Sequence, residues 1–283
     1  MRTIDDHRAM VALCGGDTLC LWAAQGPGGD SRAWVSDDGR GLVVSGPRIS
    51  QRDRLAVRGP ADAVVPLIRA VLPEVGPTYR PLGDPDVVGA VVEGVPELVT
   101  GKSFGWMHSP SPHEPVRHEP VRHEPARDDG PGGRRGGRGG RADAVTRRLA
   151  VQPVYGAPRW LSGAELAEAT TLLEAVFPGS DAMPGVPGVE CWAGIRDDAG
   201  RLVAVAALAW SAPAVGLITG VAVHRDAQGQ GLGEAICRFV LAAALARHGN
   251  AALMVDEWNH AAIRLYQRLG MRYRPILAAY VPR

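Results

Sequence analysis

Residues Val221 to Gly249 read "VAVHRDAQGQGLGEAICRFVLAAALARHG". An apolar segment runs into Gly229, Gly231 and Gly233, and these open a long Ala/Leu-rich helix. The first N–H groups of a helix lack intrahelical acceptors, and the helix dipole puts partial positive charge there. Glycines at that point leave room for an anion such as phosphate, although glycine also serves plain turns. Two nucleotide motifs fail on residue identity. A P-loop needs lysine after the glycine, and Leu232 follows Gly231; a Rossmann fingerprint counted from Gly229 needs glycine where Glu234 stands.

The surrounding segments follow in a regular order. "SGAELAEATTLLEAVF" is an amphipathic helix with Ser162 and Glu165 as a capping box. "VECWAGI" and "RLVAVAALAW" are strands joined by "RDDAG", and "VGLITGVAV" is the strand before the glycines. Alternation on that strand places Val215, Leu217, Thr219, Val221 and Val223 on one face. The small Gly216, Gly220 and Ala222 fall on the other, where a ligand would lie close. "AALMV" is a further strand, "NHAAIRLYQRLG" a helix capped by Asn259 and ended by Gly270, and "MRYRPILAAYV" the last strand.

Gln228-x-x-Gly231-x-Gly233 after a strand, then Asn259, Ala262, Leu265, Tyr266 and Gly270 on the next helix, resemble the two motifs of the GNAT acetyltransferase superfamily. The resemblance spans residues 145–283. It implies a mixed, mostly antiparallel α/β (α+β) sheet flanked by helices, and an acetyl-CoA-dependent N-acetyltransferase. In such a domain the backbone of Val221 and Val223 would meet the pantetheine arm. Gln228, Gly229, Gln230, Gly231, Leu232 and Gly233 would cradle the pyrophosphate, and Asn259 would touch the cofactor or simply cap its helix. Tyr266 would protonate the departing thiolate, and the acceptor would be a primary amine of a small molecule or peptide attacking the thioester directly. The family's strand glutamate is missing, so the base stays open among Glu190, Asp256, Glu257 and a water relay. His224 reads as a turn or phosphate residue, and Trp192, Trp210 and Trp258 as pocket aromatics or as ordinary strand aromatics. The rival reading is a non-catalytic coenzyme A-binding regulatory module.

Residues 1–108 read as a smaller α/β half without a cofactor motif, a degenerate GNAT-like lobe. Its clearest helix is "PADAVVPLIRAVLPEVG", opened by Pro60 and closed by Pro73 and Gly76, with a second helix at "DPDVVGAVVEG". Between the halves, 109–144 holds the repeated "HEPVR" units and "GGRRGGRGG", a composition expected to be a disordered linker. Its prolines forbid a His-Glu-x-x-His metal helix, and no metal site is expected elsewhere. The net charge of +1 argues against nucleic acid and anionic membranes as partners. The four cysteines show no paired spacing and the N-terminus no apolar leader, which fits a cytoplasmic protein with reduced thiols. A homodimer stays open.

Overall fold

The computed structural model describes residues 1–25, 30–110 and 154–282. The repeat segment from His113 onward lies outside the described residues, and so does most of the expected linker. Ser109, placed in that linker by the sequence, instead extends the fold. Its N–H donates to Ala251 O (2.8 Å), and its Oγ accepts from Ala251 N (3.0 Å).

The N-terminal half runs β1 (Arg2–Ile4), α1 (His7–Cys14), α2 (Thr18–Ala23), β2 (Ala33–Val35), β3 (Leu42–Ile49), β4 (Arg52–Arg58), α3 (Ala61–Val75), β5 (Arg80–Gly83), α4 (Pro85–Gly94) and β6 (Val99–His108). The C-terminal half repeats that order with one α-helix in place of α1 and α2. It runs β7 (Arg159–Trp160), α5 (Leu166–Val176), β8 (Val189–Arg196), β9 (Leu202–Ala209), β10 (Gly216–Val223), α6 (Leu232–His248), β11 (Ala251–Val255), α7 (His260–Arg268) and β12 (Arg272–Tyr280). In each half the sheet is antiparallel except for one parallel pair, β4 with β5 and β10 with β11.

All twelve strands form one sheet, in the order β1-β2-β3-β4-β5-β12-β6-β11-β10-β9-β8-β7. The last strands are exchanged. β12 is wedged between β5 and β6 of the N-terminal half, and β6 between β12 and β11 of the C-terminal half. β6 is therefore an integral strand of both halves, and its Trp106 and Met107 are wholly buried. Trp106 Nε1 donates to Thr18 Oγ1 (2.9 Å), and Arg274 on β12 donates to Asp17 (2.8 Å) and Asp84 (2.6 Å).

On one sheet face α1, α2 and α5 cover a core that both halves share, with Trp22, Trp106, Trp192 and Leu217 in it. On the other, α6 and α7 cover the C-terminal half and α3 and α4 the N-terminal half. α3 runs on to Val75, through Pro66 and Pro73. Pro73 does not end it because both prolines sit on the exposed face. The buried stripe of Val64, Leu67, Ile68 and Val71 holds the helix through the missing hydrogen bonds. The capping box of Ser162 and Glu165 is present, ahead of a 3-10 turn that leads into α5. Among the described residues no helix is long and apolar enough to cross a membrane, and no cluster of His, Cys, Asp and Glu could hold a metal ion.

Candidate functional site

β10 and β11 pair in parallel at Gly216–Ala251, Leu217–Ala252 and Ile218–Leu253, and then part. Beyond Ile218, β10 stays bonded to β9 and leaves its other edge open. The N–H of His224 donates to Val203 O on the β9 side (2.8 Å). Alternation then aims the N–H and C=O of Val223 at the open edge. Gln228 Nε2 donates to Val223 O there (3.3 Å), so the loop glutamine already lies on that side.

A β-bulge sits where the strands part. Between Thr219 and Ala222, β10 carries one residue more than β9 (Thr219 opposite Ala207, Ala222 opposite Val205). Gly220 holds φ +61°, and a Cβ there would stand 2.4 Å from the Trp192 ring. Both the left-handed backbone and the close ring require glycine. The bulge overturns the simple alternation read from the sequence. Leu217 packs in the core beneath α5, whereas Val221 and Val223 pack toward α6 and α7. Gly216 also has another use than ligand clearance, since a Cβ there would lie 2.8 Å from Ala244 Cβ and force α6 away.

The connection from Val223 to α6 makes a 3-10 turn (Arg225–Ala227) and then the glycine loop. His224 Nδ1 accepts from Asp226 N (3.3 Å), so His224 caps this turn. Gly229 and Gly231 hold φ +75° and +78°, with open space where a Cβ would project. Gly231 is the N-cap of α6, and no side chain caps the helix there. The first amides of α6 are thus presented outward without an internal acceptor, although Ala235 N already donates to Gly231 O (3.0 Å). Leu232 turns its side chain into the core and offers only its backbone. Glu234, in the first helical turn, is neutralised by Arg238 (2.8 Å) and Arg268 (3.4 Å).

α7 lies against this helix start, with Leu265 the nearest neighbour of Gly233. The Tyr266 hydroxyl is buried and hydrogen-bonded with the Cys237 thiol of α6. Burial, followed by the effect of Cys237, raises its pKa well above the usual tyrosine value. The thiol is pushed up to about 12, also by burial. Asn259 Oδ1 accepts from Ala262 N (3.1 Å), so its side chain is engaged as a helix cap.

The three carboxylates left open as bases are separated by the fold. Glu190 lies at the sheet end away from the glycine loop, accepting from Ser211 N (3.0 Å) with Arg247 beside it (3.5 Å). Asp256 and Glu257 follow β11 directly, at the end where the strands part. Asp256 pairs with Lys102 (2.5 Å), and Glu257 accepts from Ser103 Oγ (2.6 Å). Both partners belong to β6, a contribution of the N-terminal half that no local reading of 145–283 reveals. Trp210 is buried, donating to Pro187 O (3.0 Å) and accepting from Trp22 Nε1 at its backbone O (2.8 Å). Trp192 is buried with Nε1 unpartnered, and Trp258 stands 74% exposed beside Asn259.

Among solved structures, a GCN5-related N-acetyltransferase from Kribbella flavida is 16% identical, covers 98% of this chain and 95% of its own, and has a TM-score of 0.50. A GNAT-family acetyltransferase structure from Novosphingobium aromaticivorans is 21% identical, covering 81% of this chain and 86% of that one at TM-score 0.43. The Escherichia coli GNAT family N-acetyltransferase YhbS, solved in complex with CoA, is 17% identical over 32% of this chain and 56% of that one, at TM-score 0.28. At these identities the likeness is one of fold, and the Kribbella structure carries it. No curated protein matches the chain. Residues 169–271 match the model of the Acetyltransferase (GNAT) family, a span holding the bulge, the glycine loop and Tyr266, and this segment is a GNAT-family domain.

Proposed function

We propose that the chain is an acetyl-CoA-dependent N-acetyltransferase acting on a primary amine of a small molecule or peptide. The observation that supports this best is the parting of β10 from β11 after Ile218, with an uncapped, glycine-lined helix start at its mouth. The residues fit an acyl-CoA. Donors at the start of α6, with Gln228, Gly229 and Gln230 around them, suit a pyrophosphate. The open edge of β10 at Val221 and Val223 suits an amide-bearing arm added like a strand.

Acetyl-CoA supplies an acetyl group already activated as a thioester, which the neutral acceptor amine attacks directly. The chain's task is to take a proton from the amine and to stabilise the leaving thiolate. Asp256 and Glu257 would receive the amine proton, directly or through water, because they follow β11 at the end where the strands part. Tyr266 keeps its proton at any physiological pH because burial holds it there. A donor that weakly acidic serves a thiolate first as a hydrogen-bond donor, and gives up its proton only to a base of comparable strength.

One observation favours a binding module without catalysis: Asp256, Glu257 and the Tyr266 hydroxyl all have partners within the protein. Thiol release from acetyl-CoA over a panel of amines separates the readings. Amine-dependent release supports the transferase. Tight acetyl-CoA binding without release by any amine supports the module.

A further inference from the structure

The N-terminal half and the end of β12, with Tyr280, Val281 and Pro282, together line a second cleft, of about 780 Å³. Arg48, Arg52 and Arg80 line it together with Gln51, Asp53 and Thr78, and the Arg80 guanidinium lies 5.7 Å from the Tyr280 ring centroid at its rim. Behind these arginines is Arg54, opposite Arg80 in the sheet register and on the same strand face as Arg52. Arg54 is 6% exposed and its Nε has no hydrogen-bond partner.

A buried guanidinium with no bonded carboxylate and an unpartnered Nε is costly to the fold, because its desolvation is only partly compensated. Asp53 lines the cleft, and Asp181 lies near Arg54. Asp53 Oδ1 accepts from Arg48 N (2.9 Å), and Asp181 influences Arg54 without a hydrogen bond to it. Burial, with Arg52 and Arg80 repelling, pushes the Arg54 pKa down to about 10, which still leaves it charged at neutral pH. The hairpin entering β4 adds backbone strain. Arg48, Ser50 and Gln51 hold φ of 54°, 51° and 59°, uncommon outside glycine, and Gln51 Nε2 ties the hairpin to Asp181 O (2.5 Å).

We propose that this cleft binds the carboxylate or phosphate group of a small ligand, held by Arg52 and Arg80 with Arg54 behind them. The cleft opens at the sheet end that also carries the glycine loop. There β4, β5 and β6 begin and β10, β11 and β12 finish. From β5 to β11 is three strand spacings, about 14 Å. That distance exceeds a single amino acid but lies within reach of an extended acceptor of four or five residues. The anion therefore belongs either to the far end of an acceptor or to a separate small molecule.

The test uses the full chain with coenzyme A saturating, so that the glycine loop does not take up the probe. Inorganic phosphate and succinate are titrated by calorimetry. Wild type is expected to bind one or both, Arg80→Gln to weaken binding at least about tenfold through the loss of one charge-assisted contact, and Arg54→Met to weaken it less, through the loss of a charge behind the cleft. Arg54→Met should melt no lower than wild type, because it replaces an unpaired buried charge with an apolar chain of similar length. A merely structural Arg54 would instead lower the melting temperature and leave anion binding unchanged. Arg80→Gln, in a more open place, decides the matter if Arg54→Met fails to fold. Wild type binding neither anion, or folded Arg54→Met or Arg80→Gln binding both as tightly as wild type, overturns the proposal. Acetyl-CoA affinity measured in the same samples reports on the catalytic reading separately. An increased KM for anionic acceptors in Arg80→Gln, with kcat unchanged, assigns the anion to the acceptor. An unchanged KM beside lost succinate or phosphate binding assigns it to a separate ligand.

Discussion

The two halves build the same strand order and then treat one junction in opposite ways. In the C-terminal half, the parallel pair parts after Ile218, and residues 224–231 separate the strand from α6. In the N-terminal half, Gly59 and Pro60 alone join β4 to α3. Gly59 sits at φ +121°, so tight against Arg40 that a Cβ would come within 2.2 Å of its carbonyl oxygen. Gly83 keeps β5 against β4, where a Cβ would be 2.9 Å from Val57 O. Arg58 donates to Leu13 O and Cys14 O (3.0 Å each), tying the end of β4 to α1. Asp62, in the first turn of α3, places a carboxylate at that helix start and pairs with Arg40 (2.8 Å). One half thus has an open strand edge beneath bare amides, and the other fills the corresponding place with its own backbone and a carboxylate. A strand order does not make a cofactor site; the length and side-chain content of one turn decide it.

Separating the halves should be the most damaging change. Residues 145–283 alone lack β6, which pairs with β11 on one edge and β12 on the other. Unpaired strand edges and a half-uncovered core should leave this fragment insoluble or without a cooperative unfolding transition. A soluble fragment with a sharp melt and wild-type acetyl-CoA affinity would show that the exchange of β6 and β12 is dispensable.

Next in size is Gly231→Glu. Its side chain would project where Gly231 now has open space, and would place a carboxylate at the helix start, as Asp62 does in the other half. Acetyl-CoA binding by calorimetry should disappear while the far-UV spectrum is retained. Gly59→Ala is the contrasting change, since it strikes backbone and should lower stability without touching acetyl-CoA affinity in whatever fraction folds. Unchanged affinity in folded Gly231→Glu would remove the loop from the site.

Tyr266→Phe probes the chemical step. Turnover should fall by about two to four orders of magnitude if the hydroxyl serves the leaving thiolate, with acetyl-CoA affinity nearly unchanged. Because burial raises this hydroxyl above the ordinary tyrosine pKa of 10, its deprotonation cannot shape the rate below pH 10. The linkage has a definite sign. The unfolded tyrosine ionises near 10 and the folded one at a higher pH, so this contribution to stability is complete below pH 10 and declines above it. Cys237, raised from 9.0 to about 12, adds a decline between those values. A melting temperature that rises from pH 9 to 11 would contradict the buried placement of both groups.

Much of this was legible because it is local. The capping box at Ser162, the αL glycines at 229 and 231, and the apolar stripes of α3 and α6 each follow from residues within a few positions of one another. Three features were not legible. The exchange of β6 and β12 couples residues more than a hundred positions apart, and no periodicity carries that information. The bulge at Gly220 inserts one residue and reverses the facing of everything after it, so a strict period of two misplaces Val221 and Val223. The arginine cleft was invisible because Arg52, Arg54 and Arg80 read as ordinary polar strand positions until β5 and β12 are laid beside β4.

The smallest predicted effect concerns Asn259, which the resemblance places near the cofactor and the structure uses as a helix cap. Its Oδ1 accepts the N–H of Ala262, one of the otherwise unpaired donors at the start of α7. Asn259→Ala should cost about 1 kcal/mol, the usual loss for an N-cap, read as a lower urea midpoint with an unchanged slope. Asn259→Asp keeps an acceptor oxygen and should restore most of that loss. If the side chain has no second task, acetyl-CoA affinity stays within twofold of wild type in both variants, about 0.4 kcal/mol at most. A cofactor contact predicts a different pattern: Asn259→Asp would fold as stably as wild type yet bind more weakly, because a carboxylate would then face an anionic ligand. Equal affinity in all three proteins confines Asn259 to its helix. Weaker binding by the stable aspartate variant would extend the phosphate-binding surface from the start of α6 to the start of α7, widening the contrast with the closed junction at Gly59.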